Sequence, residues 1–142
     1  MVAEADTRKI FLANTKACLV LGYTGQELRG MMIDKIHPPE SLDFVLDTFQ
    51  RLAGGKMELV QDIPVQTRSG EIIFTEITAT PIEMSGKNLL IGVFRDITQK
   101  RKFENELRLI QFAVDASSDA MAMATAEGRH YYQNEAFTRL FE

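Results

Sequence analysis

The sequence Asn88-Leu-Leu-Ile-Gly-Val-Phe-Arg-Asp-Ile-Thr98 carries the end of one strand and the start of a helix, and the other predicted elements are arranged around it. Residues 88–95 are mostly apolar and β-branched or aromatic, which predicts a strand that is at least half buried. Asp96 then supplies a short carboxylate that can accept hydrogen bonds from free helix amides. The run QKRKFENELRLIQFAV that begins at Gln99 has neither Gly nor Pro. The stretch therefore predicts a strand that passes directly into a long helix.

Four apolar residues of this helix are spaced four, three and four positions apart. They are Phe103, Leu107, Ile110 and Val114. This spacing has the period of a coiled coil, and charged residues stand between the apolar ones. The stripe can pack on its own domain or on a second copy of the chain. We favour the second alternative, which makes these residues a dimer seam and the protein a homodimer.

Length and composition bound the class of protein. The chain has 142 residues, 45% of them hydrophobic and 25% charged, which is enough for one packed domain and part of another. The net charge is -4 and no basic surface is evident beyond residues 100–102, so nucleic acid is not expected as a partner. The single cysteine cannot form an internal disulfide, and no signal peptide or membrane segment is evident. These features predict a cytoplasmic protein.

The elements before this stretch predict an α+β fold. Asn14 is expected to cap a short helix, and Thr24 and Glu27 have the spacing of a capping box. The predicted elements are a hairpin from strands 2–5 and 10–13, helices 15–21, 24–30 and 40–53, and strands 57–67, 71–81 and 88–95. In the predicted strand 71–81, successive side chains point to opposite faces, which places four residues on one face: Ile73, Thr75, Ile77 and Ala79. The order indicates one antiparallel sheet, several short helices and a final long helix.

The beginning of the chain recurs near its end. Residues 5–14 align with residues 125–134 at an offset of 120, and both copies end at an Asn that can cap a following helix. We therefore expect three parts, 1–98, 99–116 and 117–142, and a chain cut from a longer protein with tandem domains. An isolated hairpin is marginal in water. We accordingly expect another sheet, on this chain or on a second copy, to cover its side chains Met121, Met123 and Tyr131 or Tyr132.

Several motifs in this order resemble the PAS domain family of signalling sensors. The first half offers Asn14 with Cys18-Leu-Val-Leu-Gly-Tyr23, and His37-Pro-Pro-Glu40 is similar to the family's His-Pro turn. Arg68-Ser-Gly70 and Arg95-Asp-Ile-Thr98 resemble the second half. The resemblance covers residues 2–98 and resumes near Asp115. It implies a five-stranded antiparallel sheet whose concave face forms a pocket under the short helices, and a linker helix that joins two PAS units.

The resemblance also argues against two cofactors. Photoactive flavin PAS domains have an Asn-Cys-Arg-Phe-Leu motif, whereas residues 31–36 here read MMIDKI, so no covalent flavin is expected. Haem PAS domains usually place a His on the long helix, and residues 40–53 contain none; His37 lies in a Pro-rich turn and His130 in the partial copy. The cofactor stays unknown. Cys18 is interpreted as a small buried side chain, and no nucleophile with an oriented base is found, so we expect no enzymatic activity.

The function implied is that of a sensory and dimerisation module. A small-molecule ligand or a partner would change the sheet, and the last strand would relay the change into the linker helix and a downstream domain, by family habit a histidine kinase or a diguanylate cyclase. Arg95, Asp96 and Thr98 are the predicted relay. The candidate pocket-lining residues are Cys18, Met32, Phe44, Thr75, Ile77, Ile91 and Val93. The alternative is a purely structural dimerisation unit that has no ligand.

Overall fold

Two side-chain caps begin the first helices, α1 (Thr15–Leu21) and α2 (Gly25–Leu28). The Asn14 Oδ1 accepts a hydrogen bond from the amide of Ala17 at 3.0 Å. Gly22 then ends α1 in the left-handed conformation, which a residue without a Cβ adopts at no steric cost. Thr24 and Glu27 form the reciprocal capping box that their spacing predicted. Both caps are confirmed.

The computed structural model describes residues 1–141, and the chain divides into two compact units, Met1–Thr98 and Gln99–Glu142. The first unit has a five-stranded antiparallel sheet in the order β2-β1-β5-β4-β3. Its strands are β1 (Val2–Glu4), β2 (Ile10–Leu12), β3 (Leu59–Gln66), β4 (Ile72–Met84) and β5 (Lys87–Asp96). The α+β fold and the single five-stranded sheet are therefore confirmed.

One face of the sheet forms the core with the helices. The predicted inner face of β4 is confirmed, because Ile73, Thr75, Ile77 and Ala79 are all buried. Two short 3-10 turns, Ile33–Ile36 and Pro39–Ser41, lead into the longer helix α3 (Leu42–Ala53). This helix turns its buried face, which includes Val45, Phe49 and Leu52, toward the core, and the aliphatic residues of the sheet complete it.

The face assigned to β5 was wrong. Ile91 and Val93 were predicted to point inward, but both are exposed, and Val93 keeps 65% of its surface in water. Pairing with β4 sets the true register, since Gly92 lies opposite the buried Ala79. Leu90, Gly92 and Phe94 therefore form the inner face. A strand with apolar residues on both faces shows no alternation from which the inner face could be read.

The second unit contains a hairpin and most of a long helix. Helix α4 (Thr98–Asp115) begins at the last residue of the first unit, where a helix over 99–116 was predicted. A two-stranded sheet of β6 (Ala122–Ala124) and β7 (His130–Gln133) follows, and then α5 (Glu135–Phe141). Met121, Met123 and Tyr131 are exposed and Tyr132 is half-buried. Within residues 99–141 no second sheet covers these side chains, and cover by another copy of the chain stays a prediction.

The repeat predicted from the sequence has a structural counterpart in the caps. Asn134 begins α5 as Asn14 begins α1, because its Oδ1 accepts the amide of Phe137 at 3.0 Å. Asn134 does more than cap, since the same oxygen accepts the amide of Met121 and its Nδ2 donates to the carbonyls of Val114 and Asp119, each at 2.9 Å. Asn134 is 1% exposed and holds the second unit together. Along residues 1–141, no helix is both long and apolar enough to cross a membrane.

Candidate functional site

Two cavities lie between the inner face of the sheet and the helices of the first unit. We call the cavity lined by α3 the inner cavity and the cavity lined by α1 the outer cavity; their volumes are about 60 Å³ and about 220 Å³. Four residues line both cavities, so the two spaces meet at them: Met1, Ile36, Gly92 and Phe94. For comparison, an engineered apolar cavity of about 150 Å³ holds one benzene molecule. The outer cavity thus has room for a small organic ligand, whereas the inner one does not.

The walls of the inner cavity are almost entirely apolar. Ile63, Ile77 and Leu90 contribute from the sheet and Val45, Phe49 and Leu52 from α3. Thr48 and His37 are its polar side chains. The His37 Nδ1 lies 2.6 Å from the carbonyl oxygen of Pro64, so Nδ1 carries the proton that it donates. Burial lowers the pKa of His37 below its ordinary value of 6.5. The hydrogen bond to Pro64 and the nearby Asp34 raise this pKa, but by less than burial lowers it. Neutral His37 therefore keeps Nε2 as a hydrogen-bond acceptor.

Burial of His37 makes the stability of the first unit depend on pH. The unfolded chain protonates His37 at a higher pH than the folded chain, so the full stability contribution is present above 6.5 and falls as the pH drops toward the folded pKa. We expect a lower free energy of unfolding in urea at about pH 5.5 than at about pH 7.5. In His37→Gln this part of the pH dependence should vanish; an identical decrease in both proteins would contradict the assignment.

That pH window separates His37 from the carboxylates whose pKa is shifted. Hydrogen bonds lower the pKa of Glu4 and Glu27 below 4.5, so their contributions are lost only in more acidic solution. Partial burial lowers the pKa of the Met1 amine below its usual 8.0, and this group is present in both proteins. The difference between the two proteins therefore reports His37.

The outer cavity is amphipathic and reaches the end of the last strand. Its apolar walls come from Val20 and Leu21 of α1 and from Val65, Ile73 and Phe94 of the sheet. Asn14, Lys16 and Asp96 add polar groups. Thr75 also lines it, although its hydroxyl donates a hydrogen bond of 3.0 Å to the carbonyl of Ile63. The side chain that ends β5 therefore borders the cavity.

Asp96 connects this cavity to the first residue of α4. Its Oδ1 accepts a hydrogen bond of 2.9 Å from the amide of Thr98. Two further bonds tie the junction to β4, since the Phe74 amide donates to the Thr98 hydroxyl at 3.0 Å and the Ile97 amide donates to the Phe74 carbonyl at 2.8 Å. The exposed Arg95 makes an ion pair of 3.7 Å with the partly buried Glu76. The predicted relay residues are thus adjacent, and Asp96 and Thr98 bond directly.

The structure gathers only some of the predicted pocket residues. Thr75 and Val93 line the outer cavity and Ile77 the inner one, although Val93 is largely exposed. The remaining four line neither cavity: they are Cys18, Met32, Phe44 and Ile91. Cys18 is half-buried against the core rather than fully buried, Met32 precedes the 3-10 turn, and Phe44 and Ile91 are exposed.

Sequence reasoning missed three residues that shape the cavities, namely His37, Gly92 and Phe94. The spacing of Gly92 and Phe94 along β5 places them on one face, so correct assignment of that face would have found both. His37 was interpreted only as part of a turn. Among residues 1–141, no group of three or more His, Cys, Asp or Glu side chains could hold a metal ion.

Comparison with known proteins fits this geometry. A family model described as a PAS domain matches residues 1–99. The chain belongs to the PAS domain family. The methyl sulfide methyltransferase-associated sensor of Methanosarcina acetivorans is 29% identical over 122 residues, which are 84% of this chain. This chain spans only 12% of the length of that relative.

Two solved structures show the same PAS fold. The PAS domain of a Desulfitobacterium hafniense protein is 21% identical, with a TM-score of 0.61, and the match covers 68% of this chain and 89% of that one. A sensory box histidine kinase/response regulator from Burkholderia thailandensis is 20% identical, also with a TM-score of 0.61, over 79% and 86% of the two chains. PAS domains of this kind occur in signalling proteins as sensory domains.

Proposed function

We propose that this PAS domain senses the occupancy of its outer cavity and relays it through Asp96 to the linker helix α4. The observation that carries this proposal is the double role of Asp96, which lines the outer cavity and accepts the amide of Thr98 at 2.9 Å. A ligand that hydrogen-bonds the Asp96 carboxylate, or that displaces the Phe94 side chain beside it, would disturb that bond. The cap on α4 would then weaken, and the free energy of its first turn would change with occupancy.

Further bonds restrict the movement to this junction. Phe74 holds the backbone at Ile97 and the side chain at Thr98, so β4 and the start of α4 are linked independently of Asp96. Loss of the Asp96 bond therefore loosens the first turn without detaching it. Relay of this kind needs a free-energy difference of only about 1–3 kcal/mol between the two states. The downstream domain that would receive it, such as a histidine kinase or a diguanylate cyclase, would belong to the larger protein.

Asp96→Ala tests the relay without any ligand. Loss of the cap should cost roughly 0.5–2 kcal/mol and raise hydrogen exchange at residues 102–106, whose amides make the first intrahelical bonds of α4. Asp96→Asn should have a smaller effect, because its amide oxygen can still accept the Thr98 amide.

A surface carboxylate serves as the control. Asp47 on α3 is exposed and makes only a 3.9 Å ion pair with Arg51, so Asp47→Ala should leave exchange in α4 unchanged. Equal exchange at residues 102–106 in wild type and Asp96→Ala would remove Asp96 from the relay.

A second candidate function is a structural dimerisation unit that needs no ligand. The observation in its favour is the apolar stripe of α4, where Phe103, Leu107 and Ile110 are 62%, 50% and 60% exposed in the single chain. Such a continuous apolar surface on one helix is typical of an interface. Dimerisation and sensing are compatible, because a change at the start of α4 would alter the packing of two such helices.

A further inference from the structure

Phe94 is one of the four residues that line both cavities, together with Met1, Ile36 and Gly92. Phe94 and Gly92 point to the same face of β5 and line both spaces. A Cβ placed on Gly92 would lie 2.9 Å from the Phe94 Cε2 and 3.7 Å from Cδ2 and Cζ, so the ring lies back over the glycine. At position 92, only a residue without a Cβ leaves room for the ring in this position. Gly92 thus makes it possible for Phe94 to lie between the inner and outer cavities.

Phe94 is not locked in place by its surroundings. It keeps 37% of its surface exposed, whereas the inner-cavity residues Ile63 and Ala79 keep 1% and 2%. Exposed side chains change rotamer on the picosecond to nanosecond scale, and a partly exposed ring retains some of that freedom. Rotation of this one side chain would join the inner cavity of about 60 Å³ to the outer cavity of about 220 Å³.

The walls define the class of molecule that the joined space accepts. An ionised group among the apolar side chains of the inner cavity would lose its hydration, and the charged Met1 amine that also borders it already donates to the Gly92 carbonyl at 2.9 Å, so we expect the part of the ligand that lies there to be uncharged. His37 offers an acceptor and Thr48 a hydroxyl, which together match one donor group on the ligand.

From these observations we infer that Phe94 is a movable partition and that the joined cavity binds an uncharged, mainly apolar molecule of one or two rings with one O–H or N–H donor. This inference rests on the proposed sensory function and adds to it the ligand class and the side chain that determines whether the two cavities join. Phe94 lies two residues before Asp96 on the same face of β5, so its rotation takes place beside the proposed relay.

Titration with 2-naphthol tests both parts of this inference. The probe has two rings and one hydroxyl, and its fluorescence can be followed because the chain contains no Trp. If the closed partition is the dominant state, its removal in Phe94→Ala should tighten 2-naphthol binding by about tenfold. Phe44→Ala is the matched control, since Phe44 is 52% exposed and lines neither cavity. This variant should bind 2-naphthol with the same affinity as the wild type.

Two related probes test the ligand class. 2-Methoxynaphthalene lacks the donor and 2-naphthoate is charged, so both should bind more weakly than 2-naphthol. Amide shifts at Gly92 and Ile36 in nuclear magnetic resonance should accompany binding, since these residues line both cavities. Phe94→Leu provides a second, more conservative variant if Phe94→Ala does not fold, as judged by circular dichroism.

The possible failures are distinguishable. Equal affinity of wild type, Phe94→Leu and Phe94→Ala for 2-naphthol would show that Phe94 is not a partition, while the binding site itself would stand. Absence of 2-naphthol binding, tighter binding of 2-naphthoate, or shifts that spare Gly92 would overturn the ligand class. The exchange experiment on Asp96 uses no ligand, so its result decides the relay independently of these titrations.

Discussion

Leu107→Glu is expected to convert a dimer of this chain into monomers at micromolar concentration. Leu107 lies in the middle of the α4 stripe formed by Phe103, Leu107, Ile110 and Val114, and it is half exposed in the single chain. Burial of the stripe against a second copy would contribute several kcal/mol at about 25 cal/mol per Å² of apolar surface, before the entropy of association is subtracted. A carboxylate in that seam would lose hydration without a partner.

Sedimentation velocity measures this effect directly. Asn105→Glu is the matched control, because it adds the same charge to the opposite side of α4 and should leave the dimer intact. Two heptads make a short coiled coil, so other surfaces of the proposed dimer would have to contribute as well. If wild type sediments as a monomer, or if both variants sediment as the wild type does, the stripe is not a dimer seam.

Asn134→Ala should destabilise the second unit by about 2–4 kcal/mol, because it removes a cap and three other hydrogen bonds at a buried position. The Asn134 amide group bonds to Met121, Val114, Asp119 and Phe137, and so connects α4, the hairpin and α5. No other described side chain joins these three elements in the same way. Hydrogen exchange across residues 120–141 should rise sharply in the variant.

Asn14→Ala provides the internal comparison, since Asn14 occupies the equivalent position of the repeat. Its Oδ1 accepts the amide of Ala17, so the variant should lose only about 1 kcal/mol, confined to α1. Effects of equal size at the two positions would show that Asn134 acts as a cap and nothing more.

Local signals in the sequence were sufficient to predict much of the fold. Asn14, Thr24 and Glu27 carry their capping bonds within three residues, so short-range spacing determines them. The inner face of β4 could be predicted because polar residues such as Glu76 alternate with Thr75 and Ile77. The start of α4 was predicted to within one residue, because a run without Gly or Pro comes soon after an apolar strand that ends at Asp96.

The candidate site was harder to predict because it depends on contacts between distant residues. The face of β5 is set by its pairing with β4, which places Gly92 opposite Ala79, and not by any alternation in its own sequence. Phe44 was placed in the pocket although α3 turns Val45 and Phe49 to the core. The position of the Phe94 ring over Gly92 is a side-chain conformation, which no spacing rule predicts.

Hydrogen exchange at residues 102–106, with and without saturating 2-naphthol, tests the relay from cavity to helix most directly. In the wild type, binding that shifts the Gly92 amide should also change exchange at the start of α4, and Asp96→Ala should abolish that change while 2-naphthol still binds. Unchanged exchange in the wild type, with binding confirmed at Gly92, would contradict a connection between the cavity and the linker helix.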